Sequence, residues 1–228
     1  MEVGDHKIVT SGSDQSGLDF SGANFGESRD LTGVNFSGAN LSSASFSNGY
    51  LGVGEVHTKH HMVDECYPSD LSSSDFTGAD LSRSNLYECA LNNADLSDAY
   101  VEHADLRRAD CTKIVAVRAS FNGAHLSAAC FDGADLDGAT FVGAKCGPDV
   151  IGENTKYSGQ ATLSAARFCN ASLRNADFSD ADLQGVDFSG ADIRGAIFSR
   201  AKMQNTIVLL SNERYTNFEK GLNGLSTE

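Results

Sequence analysis

Apolar residues recur along this chain at every fifth position. From Leu71 to Cys146 the series runs Leu71, Phe76, Leu81, Leu86, Leu91, Leu96, Val101, Leu106, Cys111, Ala116, Phe121, Leu126, Phe131, Leu136, Phe141 and Cys146. We term these central positions. A small residue stands two places before the centre in all of these repeats but one. The exception is Ile114 before Ala116, where large and small have exchanged places and core volume is roughly conserved. The residue just before the centre is often Asp or Asn, and Ser then Gly often follow it, as at Gly78, Gly123, Gly133, Gly138 and Gly143. A second block runs Leu163, Phe168, Leu173, Phe178, Leu183, Phe188, Ile193, Phe198, Met203. A rougher one runs from Phe20 to Leu51, with one extra residue between Phe25 and Leu31.

A period of five fits neither regular element. On an α-helix five residues turn the chain by about 500°, so the centres would smear around the axis. On a flat strand an odd period sends successive centres to opposite faces. The chain must therefore bend once per repeat. The Gly-rich position after the centre supplies the bend, because glycine tolerates a positive φ in a tight turn. The centre and the small residue two places upstream point the same way on a short extended side, and that way is inward. Four such sides close a square coil of about 20 residues.

Runs such as Ala79-Asp80-Leu81-Ser82-Arg83, Ala134-Asp135-Leu136-Asp137-Gly138 and Ala181-Asp182-Leu183-Gln184-Gly185 carry this pattern in full. They resemble the pentapeptide-repeat consensus, A-(D/N)-(L/F)-X-X, over most of residues 18–208. The resemblance implies an all-β fold, a right-handed quadrilateral β-helix. About eight coils, at about 4.8 Å each, would give a rod of roughly 38 Å. Residues 20 apart should then stack. The pairs Phe168/Phe188, Phe178/Phe198 and Phe121/Phe141 meet that expectation. So do the opposite charges of Glu88/Arg108, Asp98/Arg118, Arg167/Asp187, Asp180/Arg200 and Asp182/Lys202. Asp75/Asp95 and Arg174/Arg194 are like-charge exceptions.

The pattern divides the chain into an N-terminal tail (1–17), a β-helix (18–208) broken at 52–70 and 147–160, and a C-terminal segment (209–228). The first break is either a degenerate coil or a projecting loop. The second shifts the phase by two residues and reads as an insertion at one corner. Solenoid ends need covering, because open sheet edges pair with other chains. Ser211 or Asn212 can N-cap a short C-terminal helix that sets Tyr215, Phe218 and Leu222 on one face. That face either covers the last coil or forms a dimer contact. The resemblance implies the dimer, since relatives often pair through this end.

Composition narrows the function. The net charge is −14, so phosphate backbones are repelled and basic partners are favoured. No run approaches the roughly 18 apolar residues of a membrane span, and the polar N-terminus lacks a signal-peptide core; the reading is cytoplasmic. The six cysteines form no CxxC pair and read as reduced thiols. His57, His61 and Cys66 in the first break are the candidate metal ligands. Their spacing matches no standard site, and the preferred reading is a solvated polar loop with no metal and no cofactor. Scattered Ser, His and Asp are what the repeat demands, and a filled interior leaves no pocket for a nucleophile and its base, so the chain is read as a non-enzyme.

Two readings of function follow. One is a protein–protein interaction scaffold whose acidic flat sides present rows of polar side chains. Candidate contact residues are the acidic column Asp75, Asp95 and Asp135, and the stacked Arg174 and Arg194. The arginines are otherwise ordinary solvated side chains relieved by nearby Asp residues. The alternative comes from the resemblance. Some quinolone-resistance members are acidic rods that imitate duplex DNA and bind type II topoisomerases, DNA gyrase or topoisomerase IV. DNA mimicry predicts continuous acidic stripes along two faces, whereas scattered, self-neutralised charge favours the scaffold.

Overall fold

The computed structural model describes residues 12–25, 31, 34–36, 39–41, 44–46, 51, 69–151, 161–163 and 165–209. The described chain is a repeat β-solenoid. Each repeat pairs with the coil below and the coil above through one bridged residue, the one just before the centre. These bridges line up into four parallel ladders, one per side. Side one runs Asp14, Asn35, Asp70, Ala90, Asp110, Cys130, Arg167, Asp187, Ile207. Side two runs Asp19, Asn40, Asp75, Asp95, Val115, Asp135, Ser172, Asp192. Side three runs Asn24, Ser45, Asp80, Tyr100, Ser120, Thr140, Asp177, Ile197. Side four runs Asn85, Asp105, His125, Lys145, Asp182, Lys202.

The five-residue consensus is a complete solution for five backbone donors. In the repeat around Leu71, the N–H of Leu71 donates to the carbonyl of Ala90 in the next coil (2.8 Å), and that of Ser73 to Asn92 (3.0 Å). Asp75 donates back to Ala39 in the previous coil (2.9 Å), and Ser74 closes the corner onto the carbonyl of Leu71 (3.4 Å). The remaining N–H, on Ser72, donates to Oδ1 of Asp70 (3.0 Å). That is why Asp or Asn precedes the centre. Its carboxylate or amide oxygen accepts the one donor that the coil leaves over, and a buried orphan would cost stability. The residue two places past the centre takes a positive φ in repeat after repeat, whether glycine (Gly78, +65°) or not (Arg83, +58°; Ala128, +61°). Those signs match a type II turn.

The central residues are fully buried from Leu31 to Leu183, and the alanines two places upstream lie beside them. Ring stacking follows the coils as the sequence predicts. Phe121/Phe141 and Phe178/Phe198 are parallel at centroid distances of 4.9 and 5.5 Å, and Phe168/Phe188 at 5.3 Å. Phe141/Phe178 (4.6 Å) and Phe131/Phe168 (4.9 Å) carry both columns across the second break. Ile114 and Ala116 both point inward with no exposure.

The ladders also locate the breaks. Ser69 donates to the carbonyl of Leu51 (2.9 Å), the bond that closes an ordinary corner, although the two are eighteen positions apart and an ordinary corner takes three. Ala166 donates to the carbonyl of Cys146 in the same way (2.8 Å). Both breaks therefore leave and re-enter the coil at the corner between side four and side one. Residues 52–68 lie outside the described residues. At the second break, β1 (Asp149–Ile151) and β2 (Ala161–Leu163) form an antiparallel pair with Asp149 opposite Leu163. Leu163, expected as a central residue, belongs to this pair instead. The coil resumes one repeat later, with Phe168 above Phe131. Among the described residues no helix is long and apolar enough to cross a membrane.

Candidate interaction surface

Since the interior is filled, the candidate residues are those on the outside. Asp75, Asp95 and Asp135 share the ladder of side two, with Val115 between the last two. Each acid also caps its own turn: Asp75 accepts from Thr77 (2.9 Å), Asp95 from Ser97 (2.9 Å) and Asp135 from Asp137 (3.3 Å). One carboxylate oxygen is thus committed to the backbone and the other remains for solvent or a partner.

The structure brings Arg174 and Arg194 to the same side, further along the rod. They follow Leu173 and Ile193, whose preceding residues Ser172 and Asp192 extend the ladder of side two. Neither guanidinium is held off by the other. Arg174 pairs with Asp137 in the coil below, and Arg194 pairs with Asp192 of its own repeat. Burial raises the Asp137 carboxyl, but hydrogen bonds from Arg174 and Ser172 hold it below the usual carboxylate range. The hydrogen bond from Arg194 lowers Asp192 likewise. Both guanidiniums therefore stand in ion pairs on the outside of side two.

Four of the five opposite-charge stacks form as ion pairs: Glu88/Arg108 (2.8 Å), Asp98/Arg118 (2.5 Å), Asp180/Arg200 (2.5 Å) and Asp182/Lys202 (3.5 Å). In the fifth, Arg167 and Asp187 stand on successive rungs as expected, but the guanidinium pairs with Asp132 at 2.5 Å. The second break shifts the local step between coils from 20 residues to 37, which sets Arg167 above Cys130 and beside Asp132. Exposed pairs of this kind contribute about 0–1 kcal/mol each, so they pattern the surface more than they stabilise it.

Among the described residues the ladders of sides one and two carry four and five Asp, against two each on sides three and four; those of sides two and three carry no Lys or Arg, whereas side one includes Arg167 and side four includes Lys145 and Lys202. Val115 and Tyr100 are exposed, by 38% and 56%, at positions where most repeats place a polar residue. Sequence reasoning passed over both. The signal was available: each is an apolar residue in the slot just before the centre, where it cannot be packing the core.

The described cysteines are free thiols. Burial pushes Cys89 up to about 12 and Cys111 and Cys146 well above the usual thiol value, so these three act as small core residues. His57, His61 and Cys66 lie outside the described residues, as do Tyr215, Phe218 and Leu222, and the structure places none of them.

A family model described as pentapeptide repeats matches in eight copies, over residues 11–51, 69–108, 104–143 and 161–206. No curated protein matches the sequence. Among solved structures, HetL, a pentapeptide repeat protein involved in heterocyst differentiation regulation from the cyanobacterium Nostoc, is 24% identical, with 90% of each chain covered and a TM-score of 0.46. QnrB1, a plasmid-mediated fluoroquinolone resistance protein, is 14% identical over 96% of this chain and 97% of its own, also with a TM-score of 0.46. Rfr23 from the cyanobacterium Cyanothece is 21% identical, over 76% of this chain and 90% of its own, with a TM-score of 0.39.

Proposed function

The chain belongs to the pentapeptide-repeat family, and on that footing we propose that it is a non-catalytic scaffold that holds other proteins against the sides of its rod. In this reading the rod has about eight right-handed coils of about 4.8 Å each. It works in the cytoplasm, and residues 209–228 cap its end or join two copies. The observation that supports the reading is the backbone bonding. Four backbone donors of a repeat bond within the coil stack, and Asp or Asn before the centre takes the fifth where it is present, so outward side chains sit at fixed heights on flat, rigid sides. A surface of that kind suits recognition of an extended partner. The test is affinity capture from the native lysate with chemical crosslinking. Proteins should be enriched over a control bait of equal negative charge; enrichment no greater than that control's would reject the scaffold.

The alternative is a DNA mimic that modulates a type II topoisomerase. It calls for continuous acid along two faces; the ladders of sides one and two carry four and five Asp, but they are interrupted by Ala90, Cys130 and Arg167 and by Val115 and Ser172, and ion pairs occur on all four sides; this favours the scaffold. A supercoiling assay with DNA gyrase separates the two. The scaffold reading expects neither inhibition nor protection from a quinolone at micromolar protein, and either effect would reverse the preference.

A further inference from the structure

Resting on the scaffold reading, we propose that side two between Asp75 and Asp135 is the docking face, and that its partner is a basic amphipathic helix laid along the rod axis. The ladder there reads Asp75, Asp95, Val115, Asp135 on successive rungs. Val115 is 38% exposed and cannot cap its turn as an Asp would, so it serves neither the core nor the corner. No Lys or Arg stands on the ladder or in the column two residues after it from Asp75 to Asp137, and Arg118 at the adjoining corner is bound to Asp98. An apolar centre between uncompensated acids of one sign is complementary to an apolar side chain flanked by cations.

Spacing selects the helix. Rungs are about 4.8 Å apart, and one helical turn advances about 5.4 Å, so across three rungs the mismatch is about 2 Å, within the reach of a lysine. An extended strand repeats a face about every 6.7 Å and drifts by about 6 Å over the same distance. The partner face should therefore carry Lys or Arg at i, i+4 and i+11, and Leu or a similar residue at i+7.

The probe is a fluorescein-labelled synthetic helix of about 16 residues with that pattern, titrated against the full chain by fluorescence anisotropy. Val115→Lys should weaken binding by at least about tenfold, and Asp95→Asn by about three- to tenfold with a shallower salt dependence. Asp177→Asn, on side three, should leave affinity within about twofold. All three substitutions point outward and asparagine keeps the capping oxygen, so equal melting temperatures confirm that the variants are folded. Absence of saturable binding, indifference to Val115→Lys, or an equal loss from Asp177→Asn overturns the proposal. If proteins captured from lysate bind the Val115→Lys chain as well as the parent, this face is wrong while the scaffold reading stands.

Discussion

Ile114 and Ala116 offer a direct measurement of how the tube is filled. Both are fully buried on side two. In the coils below and above, the same two columns hold Ala94 with Leu96 and Ala134 with Leu136, so the large side chain has moved from the centre to the position two upstream. Ile114→Ala removes that side chain and leaves a cavity against alanines, at a cost of about 3 kcal/mol within the range for buried isoleucine. Ala116→Leu forces a second large group into a filled layer, at about 2 kcal/mol. The double variant restores the arrangement of both neighbouring coils and should lose no more than about 1–2 kcal/mol, so the coupling energy is about −3 kcal/mol. Chemical denaturation followed by circular dichroism across the four chains of the cycle measures it. Additive losses, with a coupling energy within about 0.5 kcal/mol of zero, would mean that the two side chains do not share one space, and the account of the core would be wrong.

Two further outcomes rest on the corners and the carboxylates. Ala128 holds a φ of +61°, so Ala128→Gly should gain about 0.5–1 kcal/mol, the relief of left-handed strain less the added freedom of the unfolded chain. At Gly190 (φ +73°) an added Cβ would collide with Oδ1 of Asn170, so Gly190→Ala should lose about 1–2 kcal/mol, and equal melting temperatures for the two variants would refute both assignments. Hydrogen bonds from Arg118, Arg200 and Arg194 lower Asp98, Asp180 and Asp192 below the usual value, as those from Ser189 lower Asp187. A depressed acid contributes stability that is present above the unfolded pKa of about 3.9 and is lost as pH falls through the folded value. The melting temperature should be level down to about pH 5 and decline below about pH 4; a rise on acidification would contradict these shifts.

How much of this was legible depended on period. A strict repeat of five announces the tube, because only a chain that bends once per repeat can bury Leu71, Phe76 and their successors together. Stacking at 20 residues was legible for the same reason, and it found the phenylalanine columns and four ion pairs. At Arg167 it placed Asp187 on the next rung but missed the ion pair to Asp132, because a fixed step cannot anticipate how many residues an insertion adds. Leu163 misled for a related reason: it kept the apolar spacing while its backbone paired with Asp149 outside the coil. The function of the Asp before the centre was hidden in plain composition. Read as surface charge it suggests only acidity, whereas the structure uses one oxygen of it to finish the turn. Val115 was hidden because attention to the buried period discards the outward slots, where a departure from Asp or Asn is the informative event.

Both breaks open at the same corner, four rungs apart along side four, from Leu51 below Leu86 to Cys146 below Leu183. Among the described residues the coil closes directly from Leu51 to Ser69 and from Cys146 to Ala166, so the number of residues between is decoupled from the integrity of the tube. An edge built in this way tolerates rewriting: sequence can be lengthened, shortened or exchanged there while every rung keeps its neighbour. Whatever the two segments carry is launched from one seam of the molecule, about 19 Å apart by the rung spacing, and variation at either would alter the reach of that seam and leave the other three corners untouched.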